Sequence, residues 1–344
     1  SQRRFAHMSD EHLAGLEITI TPENWSGTMD ICSALDGQIA NTGVKRYHKL
    51  NNCHLMPVEN AAVNDETIYL QAQTSQSRII FAEAARTRLL KDGKVMPVER
   101  RATSKPGYIS QEFSVHMEHG KAITVEKIVS LFTSQDSAIA ETGAEAVKKV
   151  ERAVDFDSLL QTHILSWERL WNRCQITTQD NRRATQVLNL YIFHLLQTVS
   201  QNTIDLDAGV PPRGLHGEAY RGLIMWDELF IFPFLNLRIP DITRALLQYR
   251  LRRLPEARWA AKQAGYDGAM YPWQRGSNGR EEAQTLHLNP LSGRWVSDNS
   301  SLQRHINIAV AYNVWLYYQV TADTDFLSFY GAEMLVEISR FWAS

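Results

Sequence analysis

Val187-Leu-Asn-Leu-Tyr-Ile-Phe-His-Leu-Leu-Gln-Thr-Val199 is apolar on nearly every face of the helix that its spacing predicts. Residues 306–320 have the same character. A second kind of helix is also present. Ile242, Ala245, Leu246 and Tyr249 fall in a single stripe, as do Phe326, Tyr330, Met334, Ile338 and Phe341. Helices apolar all round are expected to be buried inside, and striped helices to sheathe them. That nesting describes an α/α barrel, although a packed helical bundle satisfies the same pattern.

Working outward from this helical half, residues 16–133 change character. They run in short stretches rich in β-branched residues, broken by Gly, Pro, Asn and Asp. Glu17-Ile-Thr-Ile-Thr, Thr67-Ile-Tyr-Leu-Gln-Ala, Arg78-Ile-Ile-Phe-Ala, Ile109-Ser-Gln-Glu-Phe-Ser-Val-His-Met and Ala122-Ile-Thr-Val-Glu-Lys-Ile-Val each have strand length, and an antiparallel sandwich follows. Between residues 137 and 173 the period becomes helical, with Leu159, Leu160, Ile164, Trp167, Leu170 and Trp171 at three-to-four spacing. The chain therefore divides into a β-sandwich domain over residues 1–135, a helical linker over 136–178 and a helical domain over 179–344.

Composition excludes several functions. With 344 residues, 44% of them hydrophobic, and a net charge of −2, the chain offers neither a basic surface for nucleic acid nor the charge excess of a disordered polypeptide. Cys32, Cys53 and Cys174 are too scattered for a zinc-type spacing and too few for a disulfide framework, which fits a cytoplasmic protein. No apolar run approaches the roughly 18 residues that read as a membrane span, and the first residues lack a signal-peptide core.

Chemistry is concentrated in two long connections, residues 201–223 and 266–301, which hold many Gly, Pro, Asn, His and Trp residues and little periodicity. Long structureless connections in a compact domain tend to be functional. The first runs into Trp226 and Asp227 and carries Arg213, His216, Glu218 and Tyr220 among glycines; the second carries Trp273, His287, Asn289 and Trp295 and leads to His305. Sugar sites use this mixture, because an aromatic face covers the apolar C–H side of a pyranose while charged groups pair with its hydroxyls. The plainer readings are that Trp226 and Phe230 are core residues at helical spacing, and that His305 is a satisfied core histidine. Glu281 and Glu282, adjacent on one chain, read as a solvated charge pair rather than as two carboxylates facing each other across a glycosidic bond.

Several motifs together resemble glycoside hydrolase family 65. They are Arg213-Gly-Leu-His-Gly-Glu-Ala-Tyr-Arg-Gly, Trp226-Asp227, Tyr249-Arg250 with Leu254-Pro-Glu-Ala-Arg, Gly265-Tyr-Asp-Gly-Ala-Met-Tyr-Pro-Trp and Tyr330-Gly-Ala-Glu-Met. Leu16-Glu-Ile-Thr-Ile-Thr-Pro-Glu-Asn-Trp-Ser-Gly and Ser33-Ala-Leu-Asp-Gly extend the likeness to the N-terminal part. The family includes maltose, trehalose and kojibiose phosphorylases and some hydrolases.

The resemblance implies an N-terminal super-β-sandwich, a helical linker and the first part of an (α/α)6 barrel. It implies that Trp226 and Asp227 lie in a glucose subsite, with Tyr220, Arg213, Glu218, Trp273 and His305 as further substrate-binding candidates. Departures from many members occur at Leu223 and at Glu228-Leu229, and these bear on the substrate. The family's general acid is a glutamate in a Gly-Pro-Asp-Glu-like segment, which residues 1–344 do not contain. The expectation is accordingly a fragment lacking both ends, with its catalytic acid beyond Ser344 and itself inactive.

The activity implied is inverting phosphorolysis of an α-glucosyl disaccharide to β-glucose 1-phosphate and a released sugar. Inorganic phosphate is the co-substrate; no metal or organic cofactor, no nucleic acid and no membrane partner is expected, and a homodimer is. The alternatives are an α-glucoside hydrolase of the same family and a non-catalytic carbohydrate-binding module.

Overall fold

The computed structural model describes residues 1–344 apart from 45–47, 49, 180 and 215–218 and the side chain of Ala219. The chain forms two compact units, one of residues 1–41 and 51–170, the other of residues 42–50 and 171–344.

The first unit is built on two antiparallel sheets. The larger has seven strands, running β1 (Gln2–Ala6), β2 (Leu13–Ile20), β10 (Ile123–Thr133), β6 (Ile80–Lys91), β5 (Thr67–Thr74) and β4 (Leu55–Ala62), with β7 (Lys94–Met96) on β6. The smaller orders β3 (Gly27–Asp36), β9 (Tyr108–Met117) and β8 (Arg101–Lys105). Leu35 and Ile109 of the small sheet pack with Ile68, Leu70, Ala72 and Ala85 of the large one, and Phe113, Val115 and Met117 pack with Leu89, Ile123 and Val125.

The opposite face of the large sheet is covered by α1 (Thr142–Arg152) and the start of α2 (Phe156–Cys174), through Tyr69, Ala82, Ala84, Ile128, Ala146, Val150 and Phe156. A sheet covered on both faces needs apolar residues at successive positions, and for this reason residues 67–72 of β5 are buried without a break.

Two charged residues of the large sheet join the helices to it. Arg86 donates to the carbonyls of Val150 (3.1 Å), Ala153 (2.8 Å) and Val154 (3.1 Å) at the C-terminus of α1, while Glu126 accepts from Phe156 N (2.8 Å) at the N-terminus of α2. Cation at a C-terminus and anion at an N-terminus each oppose the helix dipole.

Beside β1, His7 and His163 have ring centroids 5.9 Å apart. His7 Nδ1 accepts from Asp10 N at 3.0 Å and His163 Nδ1 accepts from Met8 N at 3.2 Å, so each ring is held as an acceptor. Burial lowers the pKa of both rings. A lowered folded-state pKa means that the unfolded chain takes up protons first, so the stability from this pair is present above the ordinary histidine value and is lost as pH falls below it. The melting temperature of the protein is therefore expected to drop on acidification from neutral pH toward 5. His163→Gln, which keeps an acceptor and cannot titrate, flattens that slope in calorimetric scans.

The second unit is helical. It comprises α3 (Arg182–Thr198), α4 (Glu228–Arg238), α5 (Pro240–Arg252), α6 (Leu254–Gln263), α7 (Ile306–Thr321) and a C-terminal helix, Ala332–Ala343. Helix α7 packs against α4, α5 and the C-terminal helix. The predicted stripes are buried at Ile242, Ala245, Leu246 and Tyr249 on α5 and at Phe326, Met334, Ile338 and Phe341 near the end, whereas Tyr330 of the second stripe is only partly covered.

The expectation of burial on all sides is corrected for α3 and α7. Val187, Leu188, Leu190 and Tyr191 of α3 are 37–65% exposed, and Ile308, Tyr312 and Trp315 of α7 are 46–55% exposed. Apolarity all round records what a helix can bury; the burial itself needs a neighbour on each side. The second long connection also contains a short hairpin, β11 (Leu286–Leu288) with β12 (Trp295–Ser297), that the sequence did not reveal, because three-residue strands are too short to display a period. The chain is thus a sheet-rich N-terminal domain followed by a helical region. Among the described residues no helix is long and apolar enough to cross a membrane.

Candidate active site

Both long connections meet at one backbone bridge. Ile224 N donates to Arg275 O (2.8 Å) and Arg275 N donates to Ile224 O (3.1 Å), which fastens the approach to α4 onto the segment after Trp273. Two residues from the bridge on each strand stand Trp226 and Trp273, with ring centroids 6.4 Å apart. His305, at the head of α7, meets the Trp226 ring edge-on at 5.0 Å and the Trp273 ring at 5.4 Å.

The second connection is anchored by polar groups at its base. Asn307 of α7 accepts from Tyr271 N (2.8 Å) and donates to Ala269 O (2.9 Å), and Ala269 N donates to Glu337 O (3.0 Å). A Cβ at Gly268, whose φ is +67°, would collide with that same Glu337 carbonyl, so a side chain is excluded there on two counts.

Asp227 and Glu228 open α4 and have different partners. Glu228 is fully buried on Arg250, which reaches it through Nε at 2.9 Å and through Nη2, and Arg250 Nη2 also donates to Met225 O at 2.6 Å. Burial pushes the Glu228 carboxyl up and the Arg250 charge pulls it back. Asp227 makes no side-chain cap to α4, and its Oδ2 is buried with no hydrogen-bond partner. Burial raises its pKa, and the neighbouring Glu228 charge adds to the rise.

Asp227 lines a cavity of about 320 Å³ with His194 and Thr198 of α3, Arg213, Glu228 and Phe230. That volume lies at the lower end of small-molecule sites, roughly 300–1,000 Å³. Gly214, at φ +56°, brings the loop against α3, where a Cβ would lie 2.7 Å from Thr198 Oγ1.

Residues 1–170 match the glycosyl hydrolase family 65 N-terminal domain, and residues 189–344 match the glycosyl hydrolase family 65 central catalytic domain. The chain belongs to glycosyl hydrolase family 65. An uncharacterized glycosyl hydrolase of Mycobacterium tuberculosis is 47% identical over 342 residues, 99% of this chain and 26% of the relative. Kojibiose phosphorylase of Thermoanaerobacter brockii is 31% identical over 351 residues, 99% of this chain and 44% of the relative. A solved structure from the human microbiome, named as a kojibiose phosphorylase, superposes with a TM-score of 0.82 at 22% identity, covering 99% of this chain and 42% of the other. The chain thus spans less than half the length of each of these relatives.

In this family 65 chain the structure brings Trp226, Trp273 and His305 into one aromatic cluster and sets Asp227 and Arg213 on a cavity that those three residues do not line, the link between the two being the Trp226–Phe230 ring contact at 5.3 Å. Phe230 is 67% exposed, which removes its reading as a core residue, while Trp226 is half-buried. Tyr220 is half-buried, is not among the residues lining the cavity, and has φ +60° next to Arg221 at φ +55°, a left-handed pair without glycine. His216 and Glu218 lie outside the described residues.

Glu281 and Glu282 are both exposed, as a solvated pair would be, but Glu281 has a further role. Its carboxylate accepts from Trp273 N (2.7 Å), Gln274 N (3.1 Å) and Ala283 N (2.9 Å), so it shapes the loop that carries Trp273. Sequence reasoning also missed Asn307 as an anchor. Its signal was a polar residue in an otherwise apolar helix, where a buried amide requires partners.

Proposed function

We propose that this chain carries the glucose-binding part of an enzyme that cleaves an α-glucosyl disaccharide by inverting phosphorolysis. The observation that carries the reading is the Asp227 carboxylate, whose buried Oδ2 has no partner, set next in sequence to Trp226, whose ring clusters with Trp273 and His305. A carboxylate that is buried without a donor gains most from hydroxyl donors, and the indoles offer the apolar surface that a pyranose C–H face covers. Arg213 adds a cation to the cavity lining. The names of two relatives, a kojibiose phosphorylase and an alpha,alpha-trehalose phosphorylase, each matching 99% of this chain, support phosphate as the acceptor and a disaccharide of the kojibiose or trehalose type as donor; nigerose and maltose are further candidates of the same class.

In the reaction, phosphate oxygen attacks the anomeric carbon from the face opposite the glycosidic oxygen. The C–O bond to the leaving sugar breaks and a glutamic acid protonates that oxygen, giving β-glucose 1-phosphate. Neither carboxylate at the cavity is assigned this proton transfer, because Glu228 is committed to Arg250 and Asp227 to substrate hydroxyls. The acid is placed outside residues 1–344. We further infer that the helices of the second unit are the first part of an (α/α)6 barrel, a reading supported by the buried stripes of α5 and of the C-terminal helix.

Phosphate dependence is the test. In a protein that carries a Gly-Pro-Asp-Glu segment as well as residues 1–344, glucose 1-phosphate is expected from one of kojibiose, trehalose, nigerose or maltose only when phosphate is present. Equal release of free glucose without phosphate would overturn phosphorolysis in favour of hydrolysis.

A further inference from the structure

Arg275 is 0% exposed, and its Nε, Nη1 and Nη2 have no hydrogen-bond partner. Buried guanidinium groups are ordinarily paired, because the charge has been taken out of water. Glu228 is taken by Arg250, and Asp207 by Arg253 at 2.7 and 2.8 Å. Arg250 Nη1 is itself buried without a partner.

Two tyrosine rings lie near Arg275. Its Cζ lies 5.7 Å from the Tyr249 ring centroid and 6.0 Å from that of Tyr271, near the limit of a useful cation–π contact at about 6 Å. Arg253 already stacks on Tyr249 at 3.7 Å. The phenol groups are spent as well, since Tyr249 Oη donates to Gly276 O (2.7 Å) and Tyr271 Oη donates to Arg250 O (3.2 Å).

We propose that the Arg275 guanidinium, enclosed by Tyr249 and Tyr271 and left without a carboxylate, is the binding site of a small monovalent anion, with chloride as the ligand. The three guanidinium nitrogens are donors without an acceptor, and a single spherical negative charge supplies one. Full burial argues against a phosphate or sulfate. The loop after Arg275 is tied down by Tyr249 at Gly276 O and by Arg253 at Ser277 O (3.0 and 2.6 Å), and a polyvalent oxyanion there would shed far more hydration than one guanidinium replaces. Because Arg275 also forms the backbone bridge to Ile224, the anion fixes the segment from which Trp273 projects.

The test is thermal denaturation of the protein in sodium methanesulfonate, with chloride replacing methanesulfonate at constant ionic strength. The melting temperature is expected to rise saturably, by about 3–6 °C at a tenfold excess over the dissociation constant. Arg275→Met is expected to give a flat titration. Crystals grown in bromide are expected to show an anomalous peak against the Arg275 guanidinium of the unmodified protein, a readout that does not require the variant to fold. A flat titration of the wild type, a variant that responds like the wild type, or bromide crystals with no peak at Arg275 each overturn the proposal. So does an equal rise with phosphate, which would assign the site to a larger oxyanion.

Discussion

Arg250→Met is expected to destabilise the helical unit by about 3–5 kcal/mol, the cost of leaving one member of a buried ion pair without its partner. Arg250 holds Glu228 through two nitrogens and the Met225 carbonyl through one of them, and both charged side chains are at most 2% exposed. Removing the guanidinium strands the Glu228 carboxylate, which must then take a proton or draw in water. The double variant Glu228→Leu/Arg250→Met removes both charges and is expected to recover most of the loss, because a buried pair is worth little against apolar groups of similar volume. Urea denaturation of the three variants measures this, and additive losses in the double variant would show that the pair is not coupled. The same pair sits directly under Asp227, so the single variant is also expected to weaken sugar binding.

Asp227→Asn has the largest expected effect on ligand affinity. A hydrogen bond to a charged group is worth roughly 1.5–3 kcal/mol, so one sugar hydroxyl lost from the carboxylate weakens binding about 10- to 150-fold. Isothermal titration with kojibiose and trehalose checks the figure, and unchanged affinity in the variant would remove Asp227 from the site. The pH dependence has a definite sign. Burial raises the Asp227 pKa in the unliganded chain, and only the ionised form accepts from hydroxyls through both oxygens. Affinity is therefore expected to fall as the solution is acidified toward that raised value, and Asp227→Asn is expected to abolish this dependence.

Much of the site was legible because two of its elements are local. Trp226 and Asp227 are adjacent, and the glycines around Arg213 announce a loop that must approach other backbone closely, as Gly214 does at Thr198. Tyr220 shows the limit of such reading: its neighbourhood in sequence is that of the site, yet, like Trp226, Trp273 and His305, it falls outside the cavity lining. Glu281 shows another, since nothing local to a Glu-Glu pair reveals that one carboxylate will accept three backbone N–H groups and the other none.

By itself the sequence determined the order of a sheet-rich domain and a helical one, the buried stripes of α5 and the C-terminal helix, and the family, because periodicity and motif are properties of neighbouring residues along one chain. Tertiary structure alone decided that Ile224 pairs with Arg275, that Trp226, Trp273 and His305 share one cluster, and that Arg275 is buried without a carboxylate. Those outcomes depend on contacts between segments far apart in the chain, where the free energy of desolvating a charge or packing a ring is set by neighbours that no local pattern names.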